Sequence, residues 1–244
     1  MMKRVPFRLA ACTVLLGIAT VLASDVPALA QERFELTSIK AVRPTLVNTV
    51  NALERRDVKA ARKAFDSYDS AWNGVEMYIN VRNREMYDVI EHGFQARINK
   101  GLEAPGADTE SLLAEAKAML VKFDESVNMI ERSPPLNPRF DDVARLRMVR
   151  AHLREILPAL QLEDFENARK SFAAFEMNWP SIQDLIKARS TQSHAGIQKS
   201  IVEVGQALLS EKPDAVTLVA QVNELMTRYN APLADITKEA RTRH

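Results

Sequence analysis

The sequence predicts an all-α protein in which two tandem copies of a three-to-four-helix up-down unit form one helical bundle or two. Apolar side chains recur at alternating steps of three and four through long segments, and this spacing places them on one face of a helix. Residues Asp57–Leu102 also match residues Asp164–Leu209 at a constant offset of 107 positions. The chain has only seven glycines and no sustained strand-like alternation, so no sheet is expected.

Residues 1–30 predict a secretory signal peptide. Three basic residues precede an apolar run from Leu9 to Ala23, and Ala28 and Ala30 supply the small residues that a signal peptidase requires. A retained membrane anchor is the less favoured alternative, because a membrane-spanning helix needs about 20 residues and this run is shorter. We therefore expect a periplasmic or secreted protein.

Without that segment the chain is nearly neutral and has no cysteine. Residues 1–30 hold three of the 33 basic residues, one of the 32 acidic residues and the single cysteine, Cys12, so the formal charge becomes −1. Near neutrality gives no general attraction to nucleic acid, and none is expected as a partner. The lack of cysteine excludes disulfides, thiolate metal ligands and a cysteine nucleophile.

The first predicted repeat, residues 31–132, begins with a short leader and two helices. Ser38 is expected to cap the first helix, and Pro44 to kink it near its start. Asp57 is expected to cap the second, long helix. Asn73-Gly74 lies in the middle of that helix, and glycine costs about 1 kcal/mol in a helix interior, so we predict a bend or short break there.

A loop and another long helix complete this repeat. Residues 101–109 include Pro105 and Gly106 and predict the loop, and Thr109 is expected to cap the helix that follows. The unit has three or four helices, depending on whether the long helix breaks. Three prolines then predict a linker over residues 133–141.

The second predicted repeat, residues 142–244, follows the same plan. Asp164 is expected to cap its long helix, and Pro180 stands at the position equivalent to Asn73. Helix-disturbing residues at one equivalent place favour a break in both copies.

The motifs of common enzyme classes are missing from the sequence. The four histidines do not have the H-E-x-x-H spacing of zinc proteases. The G-x-S-x-G nucleophile elbow and the glycine-rich phosphate loop are also lacking. We therefore predict that the protein is not an enzyme.

Oxygen-bearing side chains lie beside the apolar face of the first long helix and its continuation. Asp69 and Glu76 belong to a stripe with steps of three and four, while Glu85, Asp88 and His92 form a second set with the same steps. Carboxylates and amide oxygens suit hard cations, and Fe or Mn also accept imidazole beside carboxylate. The alternative is that both sets form a solvated helix face.

The second copy keeps a carboxylate at only one of these positions, where Asp69 corresponds to Glu176. Glu76 is replaced by Gln183, and His92 by Lys199. A metal site would therefore belong to the first copy alone or would lie between the copies.

Four residues are shared between the copies and have either a ligand-binding or a structural role. Trp72 and Trp179 are core anchors or ligand platforms. For Arg82 and Arg189 there are three alternatives: each holds an anionic group, pairs with a carboxylate, or extends its charged end to solvent.

One pattern resembles a known family. The residues Phe65, Tyr68, Trp72, Val75 and Glu76 form the pattern F-x-x-Y-x-x-x-W-x-x-V-E, and Tyr87-x-x-Ile90-Glu91 follows downstream. This pattern resembles the helical extracytoplasmic domain attached to bacterial high-affinity iron permeases. The resemblance covers about Ala52–Ile130 and, more faintly, the second copy, whereas the membrane part of the permease is missing.

The resemblance implies a periplasmic helical module of iron uptake, with Glu76 and Glu91 as metal contacts. We therefore expect a soluble periplasmic binding or accessory protein that is linked to the uptake of iron or another divalent cation. Its expected partner is a membrane permease or another periplasmic protein, and the protein itself is not expected to span the membrane.

Two alternatives remain open at this stage. One is a metal-free interaction or scaffold module that docks on a membrane partner or on a second copy of itself. The other is a ligand-sensing helical domain, which would have a pocket between helices lined by Trp72 and Arg82.

Overall fold

The regular elements of the computed structural model, which describes residues 32–242, are all helical. The all-α prediction is confirmed. The predicted signal peptide lies outside the described residues. The α-helices of the described part are α1 (Phe34–Lys40), α2 (Arg43–Glu54), α3 (Val58–Val75), α4 (Met77–Asn80), α5 (Arg84–Asp88), α6 (Ala96–Glu103), α7 (Thr109–Arg132), α8 (Arg139–Gln161), α9 (Phe165–Asn178), α10 (Gln183–Lys187), α11 (Thr191–Leu208) and α12 (Ala215–Thr242).

Two shorter segments interrupt the α-helical pattern. Val89–Gln95 is π-helical and joins α5 to α6, while Trp179–Ser181 is a 3-10 turn between α9 and α10. Within residues 32–242, no helix combines the length and the apolar character that crossing a membrane requires.

For description, we divide the helices into a first half (α1–α7) and a second half (α8–α12). In the first half, α2 lies against α3 and α7, and the π-helical segment and α6 lie against α7. In the second half, α8 lies against α9 and α12, and α11 lies against α12. Helix α8 also packs on α3, so one hydrophobic core contains buried side chains from both halves.

Aspartate side chains begin the long helices, as the sequence predicts. The Asp57 carboxylate accepts a hydrogen bond from the Ala60 backbone N–H at 2.9 Å, and Asp164 accepts from Asn167 at 3.1 Å. These bonds satisfy donors that the first turn of a helix leaves free. The residues just before them, Arg56 and Glu163, both have a positive φ, of 57° and 53°.

Three predictions about helix ends and caps are wrong. Helix α1 already begins at Phe34, so Ser38 lies inside it and its hydroxyl donates to the Glu35 carbonyl. The expected leader is therefore partly helical. Asp108, rather than Thr109, caps α7, because its carboxylate accepts from the backbone N–H groups of the first turn.

The predicted break in the long helix occurs in both halves. In the first half α3 ends at Val75, and in the second half α9 ends at Asn178. Pro180 lies within the 3-10 turn of the second break, as its missing N–H would suggest.

Gly74 has a different role from the one that the sequence suggested. It is buried inside α3, one residue before the helix ends. A Cβ atom at this position would lie 2.3 Å from Met148 Cγ and 3.2 Å from the Met148 backbone nitrogen. The missing side chain therefore allows α8 to cross α3 at close range.

We predict that Gly74→Ala destabilises the protein by about 1–3 kcal/mol, because the added methyl group forces α3 and α8 apart. Urea unfolding followed by circular dichroism measures the change. Gly93→Ala is the matched control, since its nearest neighbouring atom would be 3.7 Å away, and it should be neutral or stabilising by up to about 1 kcal/mol. Equal effects of the two substitutions would contradict the close crossing.

Candidate functional site

Each half contains a buried tryptophan at the end of a row of aromatic rings. In the first half, Tyr68 and Trp72 stack with ring centroids 5.7 Å apart, and Phe123 of α7 covers Trp72. In the second half, Phe175 and Trp179 lie 6.0 Å apart. Such pairs contribute about 0.5–1.5 kcal/mol beyond the area they bury.

The indole N–H of each tryptophan donates to the side chain 19 residues further along the chain. Trp72 Nε1 donates to the Glu91 carboxylate in the π-helical segment. Trp179 Nε1 donates to Gln198 Oε1 in α11 at 2.9 Å. The same bond therefore ends on a carboxylate in the first half and on a neutral amide in the second.

Several buried oxygen atoms surround Trp72. We call the group the Trp72 cluster. Its members come from α3, from the residue that follows α3, from the π-helical segment and from α6: Tyr68, Asp69, Trp72, Glu76, Glu91, Gln95 and Asn99. Five of its oxygen atoms are buried and have no hydrogen-bond partner among the described residues: Tyr68 Oη, Asp69 Oδ1, Glu76 Oε2, Gln95 Oε1 and Asn99 Oδ1.

Other polar atoms of the Trp72 cluster are paired. Asn99 Nδ2 donates to Asp69 Oδ2 at 2.9 Å. Arg147 Nη1 reaches in from α8 and donates to Glu76 Oε1 at 2.6 Å. The Glu76 side chain is only 13% exposed, so this ion pair lies largely out of water.

Burial changes the acidity of the cluster. It raises the pKa of Glu76 to about 7, and the Arg147 guanidinium opposes that shift only in part. It raises the pKa of Asp69 to about 6, although the hydrogen bond from Asn99 acts to lower that pKa. Burial, followed by the charge of Asp69, also raises the pKa of the Tyr68 hydroxyl. Low polarity disfavours every one of these anionic forms.

The equivalent positions of the second half are less polar. Phe175 replaces Tyr68, Gln183 replaces Glu76, and Val202 replaces Gln95. The helix there, α11, is also continuous, whereas the first half has a π-helical segment. Single π-helical turns inside α-helices occur frequently at functional sites.

The second predicted ligand set lies at the surface. The side chains of Asp88 and His92 are 41% and 62% exposed, with His92 Nε2 3.7 Å from Asp88 Oδ1. Arg84 Nε already donates to Asp88 Oδ1 at 3.0 Å, and Glu85 is exposed. These side chains are not brought to the Trp72 cluster.

The six predicted ligands do not converge on one point. Within residues 32–242, no three histidine, cysteine, aspartate or glutamate side chains form a group that could hold a metal ion. The solvated-face alternative, however, does not describe Asp69 and Glu76, since neither is exposed.

Arg82 and Arg189 both make structural contacts. Each Nη1 donates to the backbone carbonyl four residues earlier, that of Tyr78 or Leu185. Arg82 Nη2 also lies 2.6 Å from Glu35 Oε2, and both side chains are at most 8% exposed.

A groove of about 1020 Å³ lies along α3, α8 and α9 and was not predicted from the sequence. Glu155 is one of its polar lining residues and accepts hydrogen bonds from Ser70 Oγ at 2.5 Å and Ser171 Oγ at 3.4 Å. Neither Trp72 nor Arg82 lines this groove. This groove is therefore not the pocket expected for a ligand-sensing domain.

Comparison of the chain with protein-family models, with curated proteins and with solved structures finds no match. Functional inference therefore depends on the geometry of the chain itself.

We predict that Arg82→Met lowers the free energy of unfolding by about 3 kcal/mol, because it breaks a buried ion pair. Arg189→Met is the matched variant and should cost about 1 kcal/mol, since Arg189 is 24% exposed and lies 3.4 Å from Glu239. Chemical denaturation measures both, and a larger loss for Arg189→Met would contradict the assignment.

Stability should fall as the pH rises from about 5 to about 8. The folded pKa of Glu76 is raised from its ordinary value of 4.5 to about 7, so between these values the folded state binds the proton more tightly than the unfolded state does. The loss of that proton removes about 2 kcal/mol of stability.

Urea unfolding at both pH values, with a chelator present, tests this prediction. Glu76→Gln should reduce the difference between the two pH values by about 2 kcal/mol, while Glu110→Gln on the exposed side of α7 should leave it unchanged. An unchanged difference in Glu76→Gln would show that Glu76 titrates normally.

Proposed function

We propose that this protein is a soluble periplasmic binding or accessory protein that takes up a hard divalent cation, such as Fe²⁺ or Mn²⁺, in the Trp72 cluster. One observation carries the proposal: five buried oxygen atoms of that cluster have no hydrogen-bond donor among the described residues. An unpaired buried acceptor costs about 1–3 kcal/mol. A bound cation would offset several such costs at once.

The ligand set favours a hard cation over a soft one. The cluster offers carboxylate, amide and phenol oxygens and contains neither histidine nor cysteine. Oxygen ligands of this kind suit Mg²⁺, Ca²⁺ and Mn²⁺ and are accepted by iron. Because no three carboxylate or imidazole groups converge among the described residues, amide oxygens and water would complete the coordination shell.

We further propose that the two halves arose as two copies of one helical unit. Equivalent contacts at a constant offset of 107 positions support the duplication. They include the Asp57 and Asp164 caps and the bonds from Trp72 and Trp179. In this account the second copy has lost the polar interior and serves as the structural partner of the first.

The proposed location and partner follow from the sequence. The signal-peptide pattern of residues 1–30 supports export, and the resemblance to iron-permease extracytoplasmic domains supports a role beside a membrane permease. The protein would then hold the cation before or during its transfer.

Titration of the purified protein with Mn²⁺, or with Fe²⁺ under anaerobic conditions, tests cation binding by calorimetry. We expect saturable binding that Asp69→Asn and Tyr68→Phe each weaken by about tenfold or more, because the first removes the negative charge of a ligand and the second removes an oxygen ligand. Glu176→Gln is the matched control, since Glu176 stands at the position equivalent to Asp69 in the second half, and it should bind like the wild type.

The absence of heat with both metals would contradict the proposal and favour the metal-free interaction module.

One observation favours that alternative: Leu162, Leu209 and Val216 are 81%, 78% and 79% exposed. They lie at or next to the α8–α9 and α11–α12 connections. Arg169 of α9 donates to the backbone carbonyl of Leu208, the last residue of α11, at 2.8 Å and so joins these two regions. Weaker self-association of a Leu162→Ser, Leu209→Ser variant in sedimentation experiments would then support it.

A further inference from the structure

Three arginines of α8 lie on one face of the helix, and only one of them pairs with a carboxylate of the described residues. Arg147, Arg150 and Arg154 follow steps of three and four, which align them on that face. Arg147 pairs with Glu76. Arg150 and Arg154 instead donate to the neutral amides of Asn230, at 3.1 Å, and Asn73, at 2.6 Å.

A pocket of about 460 Å³ opens between this face of α8 and the end of α12. Four cationic side chains line it, two from each helix: Arg147, Arg150, Lys238 and Arg241. The hydroxyl groups of Thr237 and Thr242 and the amide of Asn230 complete the polar lining. No aspartate or glutamate of the described chain lines the pocket.

The positive charge of this pocket is poorly compensated. Neither Lys238 nor Arg241 forms an ion pair with any carboxylate in the part of the chain that the structure describes. The Nε atoms of Arg147 and Arg150 are buried and have no partner there. Burial lowers the pKa of Arg150, and the neighbouring charges of Arg147 and Arg154 lower it further. Like charges held together in this way favour the entry of an anion.

We propose that this pocket binds a phosphate group, either as the free ion or as part of a phosphorylated molecule. Arginine forks donate pairs of hydrogen bonds to phosphate oxygens, and the lysine ammonium group can donate to the oxygens that remain. The pocket is concave, so it suits a compact anionic group. The pocket adjoins the Trp72 cluster, because Arg147 lines the pocket and also pairs with Glu76. The proposal does not depend on cation binding in that cluster.

Calorimetric titration with inorganic phosphate at low ionic strength tests the site. We expect saturable binding that weakens as sodium chloride is added. Arg150→Gln and Arg241→Gln should each reduce the affinity about tenfold or more, because each removes charged donors. Arg55→Gln, which removes the same charge at an exposed position at the end of α2, should have no effect.

A second experiment distinguishes free phosphate from a lipid headgroup. The protein is sedimented with vesicles of phosphatidylglycerol and, separately, of phosphatidylcholine. Co-sedimentation with phosphatidylglycerol alone that Arg241→Gln abolishes and Arg55→Gln does not would support phosphate recognition on a lipid. Arg241 lies near the end of α12 and is exposed, so we expect Arg241→Gln to fold. The test therefore remains valid even where Arg150→Gln does not fold.

Two results would overturn the proposal. One is the absence of binding both to inorganic phosphate and to phosphatidylglycerol vesicles. The other is an equal loss of binding in Arg55→Gln and Arg241→Gln, because general charge attraction rather than the pocket would then explain the affinity.

Discussion

The hydrogen bond of a buried indole N–H organises both halves of this protein. Trp72 and Trp179 are 0% and 4% exposed, and a buried indole needs an acceptor. The acceptor lies in the π-helical segment in the first half and in α11 in the second, so the bond fixes that segment against the one that carries the tryptophan. In the second half the acceptor is an amide, whereas in the first half it is the carboxylate of Glu91.

The choice of a carboxylate has consequences for the rest of the first half. It places a negative charge beside Asp69 and Glu76, whose own pKa values burial raises. Arg147 of α8 then supplies the positive charge that Glu76 pairs with. Gly74 allows α8 to approach α3 closely. The polar interior of the first half and the contact between the halves therefore both depend on α8. The buried oxygens that remain unpaired are the reason for proposing a bound cation.

The sequence was sufficient for some of this arrangement. Helical periodicity identified the buried faces, and the aspartate caps and the mid-helix breaks were visible as local signals at Asp57, Asp164 and Pro180. The burial of Asp69 and Glu76 could not be predicted in this way. Periodicity places a residue beside the core face but does not show which helix covers it. The cluster also needs Gln95 and Asn99 from a later part of the chain, and Arg147 of α8 pairs with it. The proposed phosphate pocket forms only where the arginines of α8 meet the end of α12. Such long-range contacts leave no local pattern.

Terbium luminescence tests the central claim, that the oxygen-rich cluster beside Trp72 holds a hard cation. Tb³⁺ prefers oxygen ligands, and its emission increases when it binds close to an excited tryptophan. With excitation that selects tryptophan, we expect saturable terbium emission in the wild type and in Trp179→Phe, and its loss in Trp72→Phe. Competition by Mn²⁺ should reduce the emission. Emission that persists in Trp72→Phe and disappears in Trp179→Phe would contradict the account, as would the absence of sensitised emission in the wild type.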